Sequence, residues 1–488
     1  MSIETVDIPS SPGAQSRTSA VPKAARPPRQ SSTLFRVIWR WHFFAGVIVS
    51  PFLVVVALTG GLYTFAAEIS DLANRDILFA DSAGSEPLAS RTLLNAAEAA
   101  VPGGRAKNIQ TFADPRRTAI ISVIPAKNDE ASKSDQSRGG RRGRGISVYV
   151  NPYSAEVQGT SDGPRKLDGF FRGVLDLHRR LFVGTTGRII VELTTTWSII
   201  LIVSGVYLWW PRRRDKWKGV WVPRWTAKPY TILRDLHSLM GIYLLPICVV
   251  IAVTGLFYTI VWGESFHAVT KPLFGEAAAS QEQSDERGER RGDRDREEDR
   301  AELVPPPTFS LQEAMEKSRS LYPDRDITIT LPRGADEHYD VGSINDYARA
   351  SYGAMDSTGF KLHRDTGAVL DVSDLSDDER YWWHTWAYPL HVGSVVGLAS
   401  KLFWLAACLV LAALPVTGLW MWWKRRPRGR TGVPRKLPFD NVSAWVWIAI
   451  VLMCVLLPIF GISVVAIVVG DRILHQVRSA FAASRPEP

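Results

Sequence analysis

The chain has 488 residues, 46% of them hydrophobic and 22% charged, and its apolar residues gather in bilayer-length runs, which excludes a wholly soluble protein. The formal charge of +9 sits mostly beside those runs, so it reports membrane topology and an affinity for anionic lipids rather than nucleic-acid binding. All three cysteines, Cys248, Cys408 and Cys454, lie inside the runs, which excludes disulfides from the exported segments, and no Cys-x-x-Cys-His motif is present for covalent haem attachment.

In chain order, residues 1–34 are rich in Ser, Pro, Ala and Arg and read as a disordered cytoplasmic N-terminus. Five transmembrane helices are expected, at 35–67, 188–210, 237–262, 398–423 and 443–470. Arg36 and Arg40 lie at the start of the first, before its long apolar run, and the segments 211–236 and 424–442 are short basic loops. Positive loops stay cytoplasmic, so the polar segments 68–187 and 263–397 belong on the periplasmic face, followed after the last span by a tail at 471–488.

Each exported segment reads as a small α+β unit. The first has a helix near Thr92–Val101, strands at Asn108–Phe112, Thr118–Pro125 and Ile146–Asn151, and a turn at Asn151-Pro152-Tyr153. The second has a helix at Ser310–Leu321, strands at Ile327–Pro332 and His338–Ser343, and a hairpin around Phe360–Val372. The inserts 127–144 and 281–302 are polar and charged, and read as solvated linkers. Tryptophans at the span ends, among them Trp39, Trp209, Trp210, Trp422 and Trp423, read as interface anchors.

The spans carry an internal repeat. His42, Gly46, Pro51, Thr59-Gly60 and Tyr63 recur 195 positions later as His237, Gly241, Pro246, Thr254-Gly255 and Tyr258. His178, Gly184, Gly205 and Trp209-Trp210 recur 213 positions later as His391, Gly397, Gly418 and Trp422-Trp423. The first and third spans run outward and the second and fourth inward, so the repeat is parallel, with equivalent residues at equal depth. The expected fold is an integral membrane α-helical bundle of five helices, four of them in the repeat, with two periplasmic α+β domains.

Topology pairs His42 with His237 near the cytoplasmic face and His178 with His391 near the outer face, because a span of about 30 Å separates the two levels. Imidazole pairs on facing helices suit haem iron, so two b-type haems stacked across the membrane are expected. Gly46 and Gly241 are expected to leave room for a macrocycle, and Arg188 and Lys401 suit a haem propionate or a lipid phosphate. His384 is a candidate for an outer haem edge or a substrate contact. His267, His475, His338 and His363 read as headgroup or surface residues. Duplication also copies purely structural histidines, so the repeat speaks more strongly for architecture than for chemistry. The reading therefore has a competitor, in which the chain is a membrane anchor whose exported domains bind a peptide, protease or transporter.

Several of these segments resemble the bacterial PepSY-associated transmembrane family. The resemblance rests on Trp-Arg-Trp-His42, on Leu-His178-Arg-Arg-Leu leading to Leu-Trp-Trp-Pro-Arg212, and on Pro-Leu-His391-Val-Gly leading to Thr-Gly418-Leu-Trp-Met-Trp-Trp. The exported segments resemble PepSY domains through the stretches ending at Gly159 and Leu370, although Asn151, Ser154 and Ala155 depart from the usual Asp-Pro-x-Thr-Gly turn. The resemblance implies a multi-pass inner-membrane protein, and some relatives are dihaem reductases of ferric siderophores. It implies as partners a ferric siderophore and an electron donor on the cytoplasmic or quinone side. A haem donor serving a separate periplasmic enzyme is a further alternative. No Gly-x-Gly-x-x-Gly fingerprint is evident, so reducing power is expected to come from outside the chain.

Overall fold

The computed structural model describes residues 33–81, 86–126, 145–163, 165–211, 217–274, 307–332, 338–343, 358–374, 382–427, 429, 431–434 and 444–483. Both inserts, 127–144 and 281–302, and most of the N-terminal segment lie outside the described residues.

Four helices are long and apolar enough to cross a membrane. They are α1 (Thr33–Tyr63), α6 (Gly184–Trp209), a later helix at Gly397–Arg425, and the Pro458–Val477 portion of the last helix. In the most apolar window of each, only about a fifth of the residues are buried (17–22%), so most of the apolar surface faces outward, as lipid contact requires. The chain is a multi-pass membrane protein.

The third expected span, 237–262, is not one straight helix. It forms α7 (Pro229–Tyr243) and α8 (Leu245–Leu256), which meet at 62° and add a fifth crossing when taken together. Its first helix begins inside the expected basic loop, with Pro229 at the first helical turn, where its missing N–H costs nothing. Trp262 belongs instead to α9 (Val261–Phe274). The expected fifth span is also divided: its residues fall in two helices, Ala444–Leu456 and Pro458–Ala483, separated by Leu457. Leu457 and Phe460 at that break pack with Leu256 and against Trp197 and Trp262.

Between spans the chain folds α2 (Ala66–Ala73), α3 (Arg75–Leu78), α4 (Ser90–Ala100), β1 (Arg105–Thr111), β2 (Ala119–Ile124), β3 (Ile146–Val150), β4 (Val157–Thr160) and α5 (Asp168–Arg180). After α9 come α10 (Leu311–Leu321), β5 (Ile327–Thr330), β6 (His338–Ser343), β7 (Thr358–His363), β8 (Val369–Asp374), α11 (Trp382–Val392), and α12 (Gly397–Arg425), the third of the four long apolar helices. The helices Ala444–Leu456 and Pro458–Ala483 are α13 and α14.

Two separate exported domains were expected, but their strands form one antiparallel sheet in the order β4-β3-β2-β1-β5-β6-β7-β8. The junction is β1 on β5, with Ile109 opposite Ile329. Alternation explains the layering: Ile109, Ile121, Val123, Val148, Ile327, Ile329, Val341 and Leu362 share a buried core with Leu93 and Leu94 of α4 and Ala314 of α10. Pairing the two units end to end satisfies a strand edge in each that would otherwise be open. The other face of the sheet is polar. At β4 it is covered by α3, whose Ile77 lies against Gly159. Across β5–β8 it forms a 350 Å³ trough lined by Thr328, Thr330, Asp340, Lys361 and Asp371.

Candidate functional site

The helices α1, α6, α7/α8 and α12 make the bundle: α1 packs against α6 and α12, α7 against α12, and α8 against α6. Two levels of histidine lie within it.

At the sheet end His178 is on α5, which packs along α1, and His391 is on α11, which packs along α8. The two contacts are alike. His178 Nδ1 is 2.9 Å from the Val56 carbonyl and 3.3 Å from Thr59 Oγ1. His391 Nδ1 is 3.1 Å from the Ile251 carbonyl and 3.2 Å from Thr254 Oγ1. A carbonyl only accepts, and both threonine hydroxyls donate to carbonyls one turn back, Val55 and Val250, each at 2.6 Å. The imidazoles must therefore carry their proton on Nδ1, which leaves the Nε2 lone pair available. The two ring centres are 6.2 Å apart.

At the far end His42 is on α1 and His237 on α7. His42 Nδ1 is 2.8 Å from Ser204 Oγ, and His237 Nδ1 is 2.9 Å from Thr417 Oγ1. Ser204 donates to the Ile200 carbonyl at 2.7 Å and Thr417 to the Ala413 carbonyl at 2.9 Å. Both hydroxyls can thus only accept from the ring, and the proton again sits on Nδ1. From His42 to Val56 is 14 residues of α1, or about 21 Å at roughly 1.5 Å per residue, which sets the vertical separation of the two levels.

Glycines let the rings approach. A Cβ at Gly60 would lie 2.9 Å from His178 Cε1, and one at Gly255 would lie 3.1 Å from His391 Cε1. At Gly205 and Gly418 the distances to His42 and His237 are 3.4 and 3.6 Å. A Cβ at Gly46 or Gly241 would meet only Leu201 or Leu414 of a neighbouring span, at 4.0 and 3.8 Å.

The flanking polar residues tie the bundle together. Lys401, expected at a propionate or phosphate, is fully buried and ion-paired with Glu68 of α2. Arg188 Nη2 reaches the Tyr258 carbonyl at 3.5 Å. Glu192 on α6 is fully buried and accepts the backbone N–H groups of Ile260, Val261 and Trp262 at 3.1, 2.9 and 2.7 Å, closing the N-terminus of α9. Sequence reasoning did not single out Glu192; an acid within an apolar run was the available signal.

Tyr258 lies 5.9 Å from the His391 ring and 6.3 Å from Tyr388, centre to centre. His384 falls on α11, but its side chain lies outside the described residues. His338 and His363 face each other across β6 and β7, away from the bundle histidines in chain order. His338 Nε2 is 3.4 Å from Asp340, and His363 Nδ1 accepts the Asp365 and Thr366 N–H groups to shape the β7–β8 turn. His267 and His475 lie on α9 and α14.

Among the described residues no group of three or more His, Cys, Asp or Glu is placed to hold a metal ion. Such a group is the requirement for a bare ion. A haem brings its own equatorial nitrogens and asks the protein only for axial donors. An axial pair on either side of one iron needs ring centres roughly 6 Å apart, taking metal–nitrogen bonds of about 2 Å. The sheet-end pair meets this requirement, and the fixed Nδ1–H tautomer gives all four histidines the donor atom such a ligand needs.

Residues 39–425 match the family described as "PepSY-associated TM region". No curated protein matches the chain.

Proposed function

The chain belongs to the PepSY-associated transmembrane family, and from that membership and its histidine geometry we propose that it is a b-type dihaem protein. It moves electrons across the bacterial inner membrane and reduces a periplasmic ferric siderophore, Fe(III) to Fe(II). His42 and His237 hold one haem, His178 and His391 the other. We read the four helical segments around them as a duplicated pair, with α13 and α14 as an addition to it. Arg36, Arg40 and the basic loops mark the far end as cytoplasmic and the sheet end as periplasmic.

The observation that carries this reading is that each of four half-buried imidazoles has its Nδ1 placed against an oxygen that can only accept its proton, with Nε2 left as a ligand atom. Those oxygens orient the rings and raise the basicity of Nε2. When bound, haem supplies reversible one-electron iron chemistry. The residues of the chain hold it at two depths, exclude water with the apolar spans, and bring the outer level beneath the sheet. No acid, base or nucleophile is needed. Ferrous iron is a poorer partner than ferric iron for hard oxygen donors, so reduction loosens the chelate.

Haem content per chain, with the reduced absorption spectrum and reoxidation by ferric chelates, tests the proposal. Two haems, one of them lost in His391→Ala and the other in His42→Ala, are expected. A purified chain with no reducible haem band sinks the reading.

A further inference from the structure

The two helices that deliver the sheet-end histidines differ sharply in charge. α11, Trp382–Val392, contains no Lys, Arg, Asp or Glu, whereas α5 and its flanks contain Arg165, Lys166, Arg172, Arg179, Arg180 and Arg188. Much of that charge is already answered: Arg165 by Asp168 at 3.9 Å, Lys166 by Asp76 at 3.3 Å, and Arg180 by Asp176 at 3.6 Å. Arg179, next to His178, is exposed and has no ion pair among the described residues. Close by are two phenols, Tyr258 against the His391 ring and Tyr388 against Tyr258. A phenol, with an ordinary pKa of about 10, is a neutral O–H donor at ordinary pH, and the His178 and His391 rings, 6.2 Å apart, join Arg179 to the two tyrosines.

We infer that Arg179, with the Tyr258 and Tyr388 hydroxyls, forms a recognition site for an anionic oxygen-donor chelate at the mouth of the His178–His391 pair. The inference rests on the electron-transfer reading above and names the charge class of its acceptor. A guanidinium presents parallel N–H donors that suit carboxylate oxygens, and two phenols add donors without adding negative charge. A cationic acceptor meets an unpaired positive charge there and is repelled.

The test uses the full chain in neutral-lipid nanodiscs. In the first arm it is titrated calorimetrically with gallium(III) citrate, an anionic and redox-inert chelate. Binding that weakens with salt, falls about tenfold in Arg179→Gln and recovers in Arg179→Lys is expected. No binding, salt-independent binding, or equal binding by Arg179→Gln overturns the inference. In the second arm, dithionite-reduced protein is reoxidised by ferric citrate or by hexaammineruthenium(III), a cation. The ratio of the two rates should fall in Arg179→Gln, and an unchanged ratio overturns the inference. Absence of a reducible haem band defeats the electron-transfer reading by itself, while the gallium titration still decides the anion site.

Discussion

The two ends of the bundle hold their histidines by different means. At the far end, His42 and His237 stand on the spans themselves and meet hydroxyls of neighbouring spans. At the sheet end, His178 and His391 arrive on separate helices and meet main-chain carbonyls of α1 and α8. Span packing sets the far level, where Asp235 of α7 is buried and accepts from Arg224 and Arg234 at 2.7 and 3.0 Å. The sheet-end level carries the buried Lys401 and Glu192 and depends in addition on how α5 and α11 are docked. With two further helices to keep in place, the sheet end should be the more easily disturbed.

The largest expected effect comes from Lys401→Met, which leaves Glu68 without its cation. Breaking such a pair should cost about 3 kcal/mol, the low end of the range, because Glu68 keeps 34% of its side-chain surface exposed. On the dihaem proposal, the haem assigned to His178 and His391 should be lost first on heating, and the double variant Lys401→Met/Glu68→Met should recover most of the loss. Thermal melts in which single and double variants behave alike would remove the pair from the account of the sheet end.

Glycine substitutions sharpen the same contrast. Gly60→Ala places a Cβ 2.9 Å from His178 and should cost about 1–3 kcal/mol, disturbing the low-spin haem signal of that level. Gly205→Ala, at 3.4 Å from His42, should cost less than that. The opposite order in paramagnetic resonance spectra and melts would overturn the ranking.

Hydroxyl removal should run the other way. Ser204→Ala leaves His42 Nδ1 without its acceptor and should weaken haem retention at the far level about tenfold. Thr59→Val leaves His178 with the Val56 carbonyl and should do less. Equal loss in competition with apomyoglobin would mean that the carbonyl contributes nothing.

The smallest effect lies in the sheet. Ala155, at φ 59°, occupies the turn position that Gly367 holds in the second unit at φ 64°. Asn151 still makes the turn, accepting the Tyr153 and Ser154 N–H groups, so the departure from the usual pattern costs strain and not the turn itself. Ala155→Gly should stabilise the turn by about 1 kcal/mol, seen as slower hydrogen exchange at residues 151–157. Gly367→Ala should destabilise, since its Cβ would meet the Phe309 ring at 2.4 Å.

The sequence by itself determined the apolar runs, the four repeated histidines, the helix and first three strands of the first exported unit, and the helix and four strands of the second. Hydropathy and alternation are local, and neighbouring side chains record them. Edge pairing leaves no such record, so the fusion of β1 to β5 into one sheet was not legible. Proline shows the same limit. Pro51 and Pro246 hold equivalent places in the repeat, yet α1 runs through Pro51 while Pro246 follows a 62° bend. The proline is shared but its neighbours are not, Ser50 and Phe52 in one copy against Leu245 and Ile247 in the other, and the repeat did not reveal which copy would bend. The sequence also supplied the imidazoles, but only the folded chain brought the Val56, Ile251, Ser204 and Thr417 oxygens to their Nδ1 atoms. That contact fixes the proton on one nitrogen and leaves the other free, which no spacing of histidines can encode.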